Sequence, residues 1–538
     1  MGKSKKKKNQ IKNSQPESVK PLPRNRNKHF LFLVLGAFAL LIICYSYVFD
    51  TKFDLNGDNI RYYLLGKALA VGKGFVNIWE PGEPASAPSP PVYPFILSLI
   101  VRVFSYNMTV MKIFNGILFF ITCIFFFLAL RKITSDKKLI VFSLILVAVN
   151  SHLLRYSTIL MTEIPFLFFL MLSIYSVVNI GFKKQWFKDH WFWLMILFVG
   201  TAYYTRTAGL ALIPAFPIYF ALEKKWRYAV VSGIFLIAIT IPWYVWMQGH
   251  NKEGFLGAMF LVNPYNIDKG YLTISGCIKR IFLNFFRYIF SEIPNACFPM
   301  IEHLENKKAI GIKIAGFISS SLIVFGIIRL KANRNIILSI ICCMFCMLFL
   351  WTDAWKGVRF ILPITPILLF LLMNGIMELI KITVKNDTYK KWIAIVILCI
   401  CVCVSFYGQK KERYWAKLPY PPNYLNFFKV ASWARFNMPD GKITASRIPP
   451  FWYLFSDKQG VSYLLSGEDD KILNQFEKDN IDYVVLDMLG PQSPKYLFPM
   501  VARNRDKFEK IIEFNNPPTL LYEYKKKSSV AKKIQNPE

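Results

Sequence analysis

Apolar runs of about 17–21 residues recur along this chain between residues 29 and 407, and each could cross a hydrocarbon core of roughly 30 Å as a helix. A run that lies in lipid has to be helical, because its backbone N–H and C=O groups find no water to bind. Only 18% of the residues are charged, whereas a soluble domain carries about 25%. The sequence therefore predicts a polytopic α-helical membrane protein.

Positive charge is distributed in a way that fits this class. The formal net charge is +33, but the basic residues lie in short clusters between apolar runs and not on one soluble face. This argues against a nucleic-acid partner and agrees with the positive-inside rule, which keeps lysine and arginine in the cytoplasm. Residues 1–28 contain ten basic residues and one acidic residue, which predicts a disordered, basic cytoplasmic tail.

The membrane topology follows from the same clusters. Every cluster falls on the cytoplasmic side if the short run at residues 94–104 is an interfacial helix and does not cross. About eleven spans then form a membrane domain at residues 29–407, with a first outer loop at residues 50–112 and a large outer loop at residues 249–308. The N-terminus is predicted to be cytoplasmic and residues 408–538 to lie outside.

Residues 408–538 differ in character from the rest of the chain. Turn signals separate short strand-like runs at residues 442–445, 483–486 and 520–524, and residues 468–478 have a helical pattern. We interpret this region as a soluble α/β domain outside the membrane that ends in a basic tail. No internal repeat is evident, which weakens the case for a transporter with duplicated halves.

The first outer loop carries the first polar constellation. Asp58 begins a predicted helix at the membrane interface, where Tyr62 and Tyr63 suit the depth of the lipid headgroups. The loop then continues past Glu83 to a proline-rich turn at residues 90–94. Asp58 could be catalytic, or it could cap the helix that it begins.

Two further constellations are predicted to lie on the same outer face. Thr162 and Glu163 precede the fourth span, where Thr162 could cap the helix and Glu163 could complement its dipole. Arg206 occupies a polar break between two apolar runs, and Arg359 follows a tryptophan-rich loop. Each arginine either extends to the headgroups or binds an anion, and the planar guanidinium suits phosphate.

Acids and arginines on one membrane face suit a particular chemistry. An acid can take a proton from an attacking hydroxyl, and an arginine can stabilise a phosphate leaving group. The sequence lacks the motifs of P-loop ATPases, dinucleotide-binding enzymes and zinc proteases. Asp58 and Glu163 could share a divalent ion, although two acids make a sparse metal site. A sugar donor linked to a lipid phosphate and delivered from the bilayer fits best.

These residues resemble the motifs of GT-C glycosyltransferases of the protein O-mannosyltransferase and lipid A aminoarabinose transferase superfamily (glycosyltransferase family 39-like). The resemblance covers roughly residues 29–380 and rests on the order of several short motifs. They are Gly-Asp-x-x-x-Tyr-Tyr at residues 57–63, Gly-x-Gly-Phe at 72–75, Pro-Pro-Val-Tyr-Pro at 90–94, Thr-Glu-x-Pro at 162–165, Thr-Arg-Thr-Ala-Gly at 205–209 and Arg-Phe-Ile-Leu-Pro-Ile-Thr-Pro at 359–366.

The resemblance implies a GT-C fold and an inverting transfer of a sugar from a polyprenyl-phosphate donor to a lipid, glycan or protein hydroxyl. Asp58 matches the family's first-loop acid and would be the general base, and Glu163 matches the second-loop acid and would be a second catalytic residue. Arg206 matches a basic position associated with the donor phosphate. The protein O-mannosyltransferases carry an Asp-Glu pair where this chain has Asp58 and Asn59, which argues against a protein acceptor.

The remaining expectations complete this hypothesis. Tyr62, Tyr63, Glu83 and Arg359 are expected to contact substrate, and no metal or other cofactor is expected. Membrane lipids are expected partners, in a bacterial inner or plasma membrane. The alternative functions are a transporter or flippase of a lipid-linked or anionic substrate, and a receptor whose outer domain binds a partner.

Overall fold

The computed structural model of the protein describes residues 24–55, 57–87, 89–182, 185–250, 257, 259–264, 270–304 and 310–526. Residues 1–23 of the predicted cytoplasmic tail lie outside these ranges, and residues 24–28 belong to the first helix. The predicted basic C-terminal tail lies outside them from position 527, and parts of the large outer loop at residues 249–308 do as well.

Helices dominate the described residues, and we number the α-helices in chain order. They are α1 (Arg24–Val48), α2 (Gly57–Ala70), α3 (Val92–Phe104), α4 (Met108–Ile133), α5 (Lys137–Val149), α6 (Ser151–Ser157), α7 (Glu163–Val177), α8 (His190–Thr205), α9 (Leu212–Leu222), α10 (Trp226–His250), α11 (Ile274–Arg287), α12 (Ile293–Cys297), α13 (Ile310–Arg329), α14 (Arg334–Leu350), α15 (Thr365–Thr383), α16 (Asp387–Lys417), α17 (Pro422–Asn437), α18 (Pro449–Ser456), α19 (Asp469–Lys478) and α20 (Phe498–Arg503).

Several of these helices can cross a membrane. Among the described residues, 6 helices are long and apolar enough, namely those that contain α1, α4, α10, α13, α15 and α16, and α5 with α6 makes a seventh if that pair, bent by 56°, is one span. Shorter apolar helices of 10–17 residues include α3, α7 and α14. The chain is an integral membrane protein, and the count of about eleven spans stays a prediction.

Two glycines fix the approach of α13 to α15. A Cβ atom on Gly326 would lie 2.1 Å from the carbonyl oxygen of Leu371, and one on Gly375 would lie 2.1 Å from that of Leu322. Such contacts are far inside van der Waals distance, so only glycine lets the two backbones meet here. This crossing positions α15, whose N-terminal approach carries Arg359.

The first outer loop packs on the C-terminal region. Tyr62, Tyr63 and Trp79 belong to the same buried cluster as Phe427 and Trp452. The backbone N–H of residue 460 donates to the carbonyl oxygen of Trp79 at 2.9 Å. The two regions therefore share one hydrophobic core and lie on the same side of the membrane.

The C-terminal region contains a small mixed sheet. Its strands are β1 (Thr444–Ala445), β2 (Gly460–Val461), β3 (Tyr483–Leu486), β4 (Phe508–Phe514) and β5 (Thr519–Tyr524), in the order β2-β1-β3-β5-β4. Strand β1 pairs in parallel with β2 and β3, whereas β5 is antiparallel to β3 and β4.

Side chains along β3 alternate between the two faces of the sheet, and each face packs in a different core. Tyr483 and Val485 pack in the core shared with the first outer loop, and Val484 and Leu486 pack against α19 and α20 on the other face. The three predicted strand-like runs correspond to β1, β3 and β5, and the predicted helix corresponds to α19. The predicted boundary at residue 407 falls inside α16, which continues to residue 417.

Candidate functional site

Asp58 lies in the first turn of α2, as the sequence predicted for a helix beginning there. Tyr62 follows one turn later and therefore lies on the same face. The Tyr62 ring packs edge-on against Tyr93 at 5.6 Å between centroids, and Asn115 donates to the Tyr93 hydroxyl at 2.9 Å. Helices α3 and α4 thus hold the face of α2 that carries Asp58.

Glu163 is the first residue of α7, and its side chain is 0% exposed. Its Oε1 atom accepts from Arg359 Nε and forms an ion pair with Arg206 Nη1, both at 2.5 Å. Its Oε2 atom is buried and has no hydrogen-bond partner among the described residues. The carboxylate therefore joins two guanidinium groups through a single oxygen atom.

Arg206 follows the C-terminus of α8 in an extended conformation, where the predicted polar break interrupts the apolar sequence. Besides Glu163 it contacts Thr162, whose Oγ1 accepts from Arg206 Nη1 at 3.2 Å. Thr162 occupies the N-cap position of α7, as predicted, but its side chain makes no capping hydrogen bond. Its hydroxyl orients the arginine instead.

Arg359 comes from the loop between α14 and α15. Residue 357 is a glycine with φ of 115°, a conformation that favours glycine, and it turns the chain so that Arg359 reaches Asp58. Arg359 Nη1 donates to Asp58 Oδ2 at 2.8 Å. Burial alone would lower the pKa of the Arg359 guanidinium, but the charges of Glu163 and Asp58 outweigh burial and raise that pKa. The guanidinium stays charged.

The four side chains form one network in the order Asp58, Arg359, Glu163, Arg206. Its formal charges, two negative and two positive, cancel. A cavity of about 100 Å³ adjoins the network and is lined by both arginines together with Tyr62, Thr162 and Trp351, among others. The cavity wall therefore presents guanidinium groups, hydroxyls and aromatic rings, which suit a phosphate group next to an apolar chain.

Exposure differs sharply across the network. The Asp58 side chain is 46% exposed, and that of Arg359 is 21% exposed. Glu163 is fully buried. Only the Asp58 end of the network is therefore open to a molecule that arrives from outside.

Two predicted contact residues lie away from this cavity. Tyr63 packs edge-on against Phe53 in the core of the first outer loop, because adjacent helical residues point in different directions. Glu83 forms an ion pair with Lys73 within its own loop and has φ of 47°. Neither residue lines the cavity, so their contact with substrate stays a prediction.

Phe360 also belongs to the site, although it was not among the residues predicted from the sequence. Its ring lies 5.9 Å from Arg206 Cζ and 5.8 Å from Arg359 Cζ, so it packs against both guanidinium groups. Its place directly after Arg359 in the motif at residues 359–366 was the available signal.

Metal-ligating groups do not cluster in the part of the chain that the structure describes, where no group of three or more His, Cys, Asp or Glu side chains could hold a metal ion. Asp58 and Glu163, the two acids that by sequence could share a divalent ion, have the Arg359 guanidinium between them. A fixed cation of the chain itself thus bridges Asp58 and Glu163.

A segment of the chain that includes part of this site matches a known protein family. Residues 88–246 match the family described as dolichyl-phosphate-mannose-protein mannosyltransferase. The matched segment contains Glu163 and Arg206, and it ends before Arg359 and begins after Asp58. The match therefore covers the buried half of the network.

Solved structures match nearly the whole chain. ArnT from Cupriavidus metallidurans bound to undecaprenyl phosphate is 10% identical, with a TM-score of 0.57 over 91% of this chain and 97% of that one. The chain has the GT-C glycosyltransferase fold. An Archaeoglobus fulgidus oligosaccharyltransferase tethered to an acceptor peptide is 11% identical, with a TM-score of 0.56 over 90% of this chain and 74% of that one. At such identities the likeness concerns the fold alone.

One curated relative also matches in sequence. An uncharacterized protein of Aquifex aeolicus is 25% identical over 186 residues, which cover 33% of this chain and 36% of the relative. The chain thus spans about a third of the length of the curated relative that it matches. The GT-C fold itself confirms the fold that the sequence motifs predicted.

Proposed function

We propose that this protein is a membrane glycosyltransferase that transfers a sugar, with inversion, from a polyprenyl-phosphate donor to an acceptor hydroxyl on the outer face. The observation that supports this most directly is the ion-pair network of Asp58, Arg359, Glu163 and Arg206 beside a small cavity. The fold match to ArnT, solved with undecaprenyl phosphate, is compatible with such a donor.

Asp58 acts as the general base in this proposal. Its carboxylate is the exposed end of the network, where an acceptor can approach. It takes the proton of the acceptor hydroxyl as that oxygen attacks C1 of the donor sugar. The bond from C1 to the phosphate oxygen breaks in the same displacement, so configuration at C1 inverts.

Arg206 and Arg359 stabilise the leaving group. The polyprenyl phosphate gains negative charge as the C1–O bond breaks, and both guanidinium groups border the cavity where it would lie. Fixed cations that face developing charge stabilise a transition state more than the ground state. Because the two acids already pair with the two arginines, the phosphate competes with these acids for the arginines.

Glu163 positions the two arginines. It is buried and touches both guanidinium groups through Oε1, so it has no access to an acceptor hydroxyl. In this proposal Asp58 transfers the proton and Glu163 orients the arginines, whereas the sequence motifs predicted a catalytic role for both acids.

The proposal is tested with the full-length protein reconstituted in vesicles. Lipid-linked sugars and envelope glycans, compared by mass spectrometry in cells with and without the gene, identify the donor that accumulates. Transfer from that donor is then measured for Asp58→Asn, which we expect to lower turnover by about 100-fold or more. Asp470→Asn, an exposed acid in α19, is the matched control and should leave turnover unchanged.

Undiminished turnover of Asp58→Asn would exclude Asp58 as the base. A transporter or flippase would move the lipid-linked sugar across the vesicle membrane without forming a glycoside. Appearance of translocated donor with no product would therefore contradict the transferase assignment.

A further inference from the structure

A larger cavity, of about 450 Å³, lies between the first outer loop and the C-terminal region. Its polar lining comes from both sides, Arg61 and Glu80 from the loop and Ser462 and Asp479 from the C-terminal region, and its apolar lining includes Pro81 and Pro449. We call this space the outer cleft. Its volume falls within the range of roughly 300–1,000 Å³ that is typical of small-molecule sites.

The outer cleft begins one helical turn from the network. Arg61 follows Asp58 by three residues on α2, and side chains with this spacing are neighbours on a helix, with Cβ atoms about 5–6 Å apart. A molecule in the cleft that contacts Arg61 can therefore place a hydroxyl near the Asp58 carboxylate. The cavity of about 100 Å³ at the arginines adjoins Asp58 through Arg359.

Both acids of the cleft are held in place by hydrogen bonds. Glu80 Oε1 accepts from Trp79 Nε1 at 3.0 Å and from Asn77 Nδ2 at 3.3 Å. Asp479 Oδ2 accepts from Gln475 Nε2 at 3.0 Å. The second oxygen of each carboxylate makes no hydrogen bond to the described residues, so each acid has an oriented acceptor for a ligand.

The two sides of the cleft are also fixed to each other. The Trp79 carbonyl oxygen accepts from the backbone N–H at the start of β2 at 2.9 Å, and Gln459 Nε2 donates to the Ile78 carbonyl oxygen at 3.4 Å. Trp79 itself is buried in the shared core. The cleft is therefore a preformed space, with little ordering cost on binding.

The chemistry of the lining selects among acceptors. Two carboxylates and one guanidinium give a formal charge of −1, which disfavours a phosphorylated or otherwise anionic molecule. Carboxylate oxygens, a guanidinium group and a serine hydroxyl match sugar hydroxyls, while the proline rings offer apolar walls for the C–H faces of a sugar. The lining lies in the extramembrane loop and sheet region, which does not suit an acyl chain.

We propose that the outer cleft binds a neutral carbohydrate acceptor and presents one of its hydroxyls to Asp58. This inference rests on the proposed transferase function and assigns the acceptor class that the function leaves open. Glu80 and Asp479 contact the sugar beyond the reacting hydroxyl, so they determine acceptor affinity and leave donor binding unaffected.

The test uses Glu80→Gln and Asp479→Asn in the full-length protein, with Asp470→Asn as the matched control. The probe is a set of neutral oligosaccharides released from the envelope polysaccharide of the native host. We expect each cleft variant to raise the acceptor KM by roughly tenfold, the effect of losing a charged hydrogen bond, with little change in kcat. Undecaprenyl phosphate binding, measured separately, should stay at the wild-type level.

Direct binding separates failure of this inference from failure of the transferase proposal. Calorimetry of the oligosaccharides with donor-free protein should give a heat of binding that Glu80→Gln and Asp479→Asn weaken, whether or not transfer is observed. Wild-type affinity and KM in both cleft variants would overturn the inference and leave the function of Asp58 intact. Transfer to serine- or threonine-containing peptides, with a KM sensitive to Glu80→Gln, would overturn the carbohydrate assignment.

Discussion

One carboxylate oxygen of Glu163 holds two guanidinium groups in a fully buried position, whereas the Asp58 carboxylate that pairs with Arg359 is nearly half exposed. Buried and exposed ion pairs differ strongly in energy. Removing one partner of a buried pair costs about 3–5 kcal/mol, because the other charge is left uncompensated. An exposed pair contributes about 0–1 kcal/mol.

The first prediction follows from this difference between the two acids. Glu163→Gln should lower stability by several kcal/mol and abolish turnover, because both arginines lose their common anchor. Asp58→Asn should lower turnover by about 100-fold or more with little change in stability. Thermal unfolding in detergent, combined with a transfer assay, measures both quantities.

Arg505→Gln, at an exposed arginine of the C-terminal region, and Asp470→Asn control for a change of charge alone. Equal losses of stability in Glu163→Gln and Asp58→Asn would contradict the proposed division between a positioning acid and a base.

The second prediction concerns pH. Asp487, directly after β3, is buried, and burial raises the pKa of its carboxyl to about 6 even though the Leu489 N–H donates to it and Arg447 lies nearby. An unfolded aspartate titrates near 3.9. Folding thus favours the protonated carboxyl, which adds its full contribution to the free energy of unfolding below about pH 3.9. That contribution declines above this pH and is lost once the pH passes about 6.

The C-terminal region should therefore be more stable at pH 4.5 than at pH 7, by roughly 2 kcal/mol from this residue. Asp487→Asn should abolish this part of the pH dependence and raise stability at pH 7. Hydrogen exchange of β3 in the full-length protein, measured at both pH values, gives the stability of this region in the wild type and the variant. An unchanged pH profile in the variant would show that Asp487 does not titrate in this range.

The residues of the network were accessible to sequence reasoning because each combines a polar side chain with an apolar setting. Glu163, Arg206 and Arg359 stand at the ends of apolar runs, and Asp58 lies in the loop after the first run, so sidedness alone brought all four to one face. Sidedness does not single out Phe360, since it is one apolar residue among 48 phenylalanines, and its place directly after Arg359 in the motif at residues 359–366 is the signal that marks it. Tyr63 was assigned with Tyr62 because the sequence cannot state the rotation of α2.

Helix α11 is an amphipathic helix that contacts the loop carrying Arg359. One face carries exposed apolar residues, including Ile274, Ile278 and Phe282, and the opposite face buries Arg280 and Asn284. Arg280 donates to the Met259 and Leu261 carbonyl oxygens. We expect such an amphipathic helix to lie in the plane of the membrane interface, with its apolar face toward the acyl chains.

Asn284 gives the third prediction. Its Nδ2 lies within hydrogen-bond distance of the carbonyl oxygens of Phe349 and Trp351, both at 2.8 Å, at the C-terminus of α14. The loop that carries Arg359 starts there. Asn284→Leu would leave these carbonyls unpaired, at a cost of about 1–3 kcal/mol, and would loosen the loop.

We expect Asn284→Leu to raise the donor KM several-fold and to speed hydrogen exchange at residues 351–361. Lys279→Leu, at an exposed position of the same helix, should change neither. Faster exchange with an unaltered donor KM would show that the loop does not depend on Asn284 to orient Arg359.

Elements of the C-terminal region show where sequence patterns fail. Strand β3 was predicted at its observed bounds, because four consecutive apolar residues between turn signals favour a buried strand. Strand β2 has only two residues and no pattern to detect, and its place is fixed by the Trp79 carbonyl of a distant loop. The end of α16 was missed since its last turns are polar and yet helical, beyond the end of the apolar run.

At the scale of the whole molecule, the shared core constrains topology. The first outer loop and the C-terminal region pack in one cluster, so both must lie on the same side of the membrane. The chain therefore crosses an even number of times between them. Since α1 precedes the first loop and adds one crossing, the total number of spans is odd.

The fourth prediction tests whether the number of spans is odd. An odd number agrees with about eleven spans, and it means that the 6 helices long and apolar enough to cross cannot be all of the spans. Epitope tags are inserted one at a time at Gly74 in the first outer loop, at Gly467 in the C-terminal region and at Lys385 between α15 and α16. In intact cells whose surface is accessible to antibody, or in right-side-out vesicles, the tags at Gly74 and Gly467 should be labelled together. The tag at Lys385 should be labelled only after permeabilisation, because one span, α16, separates it from the C-terminal region. Labelling of Gly74 without Gly467 would contradict the packing of the two regions, and with it the approach of an outer-cleft ligand to Asp58.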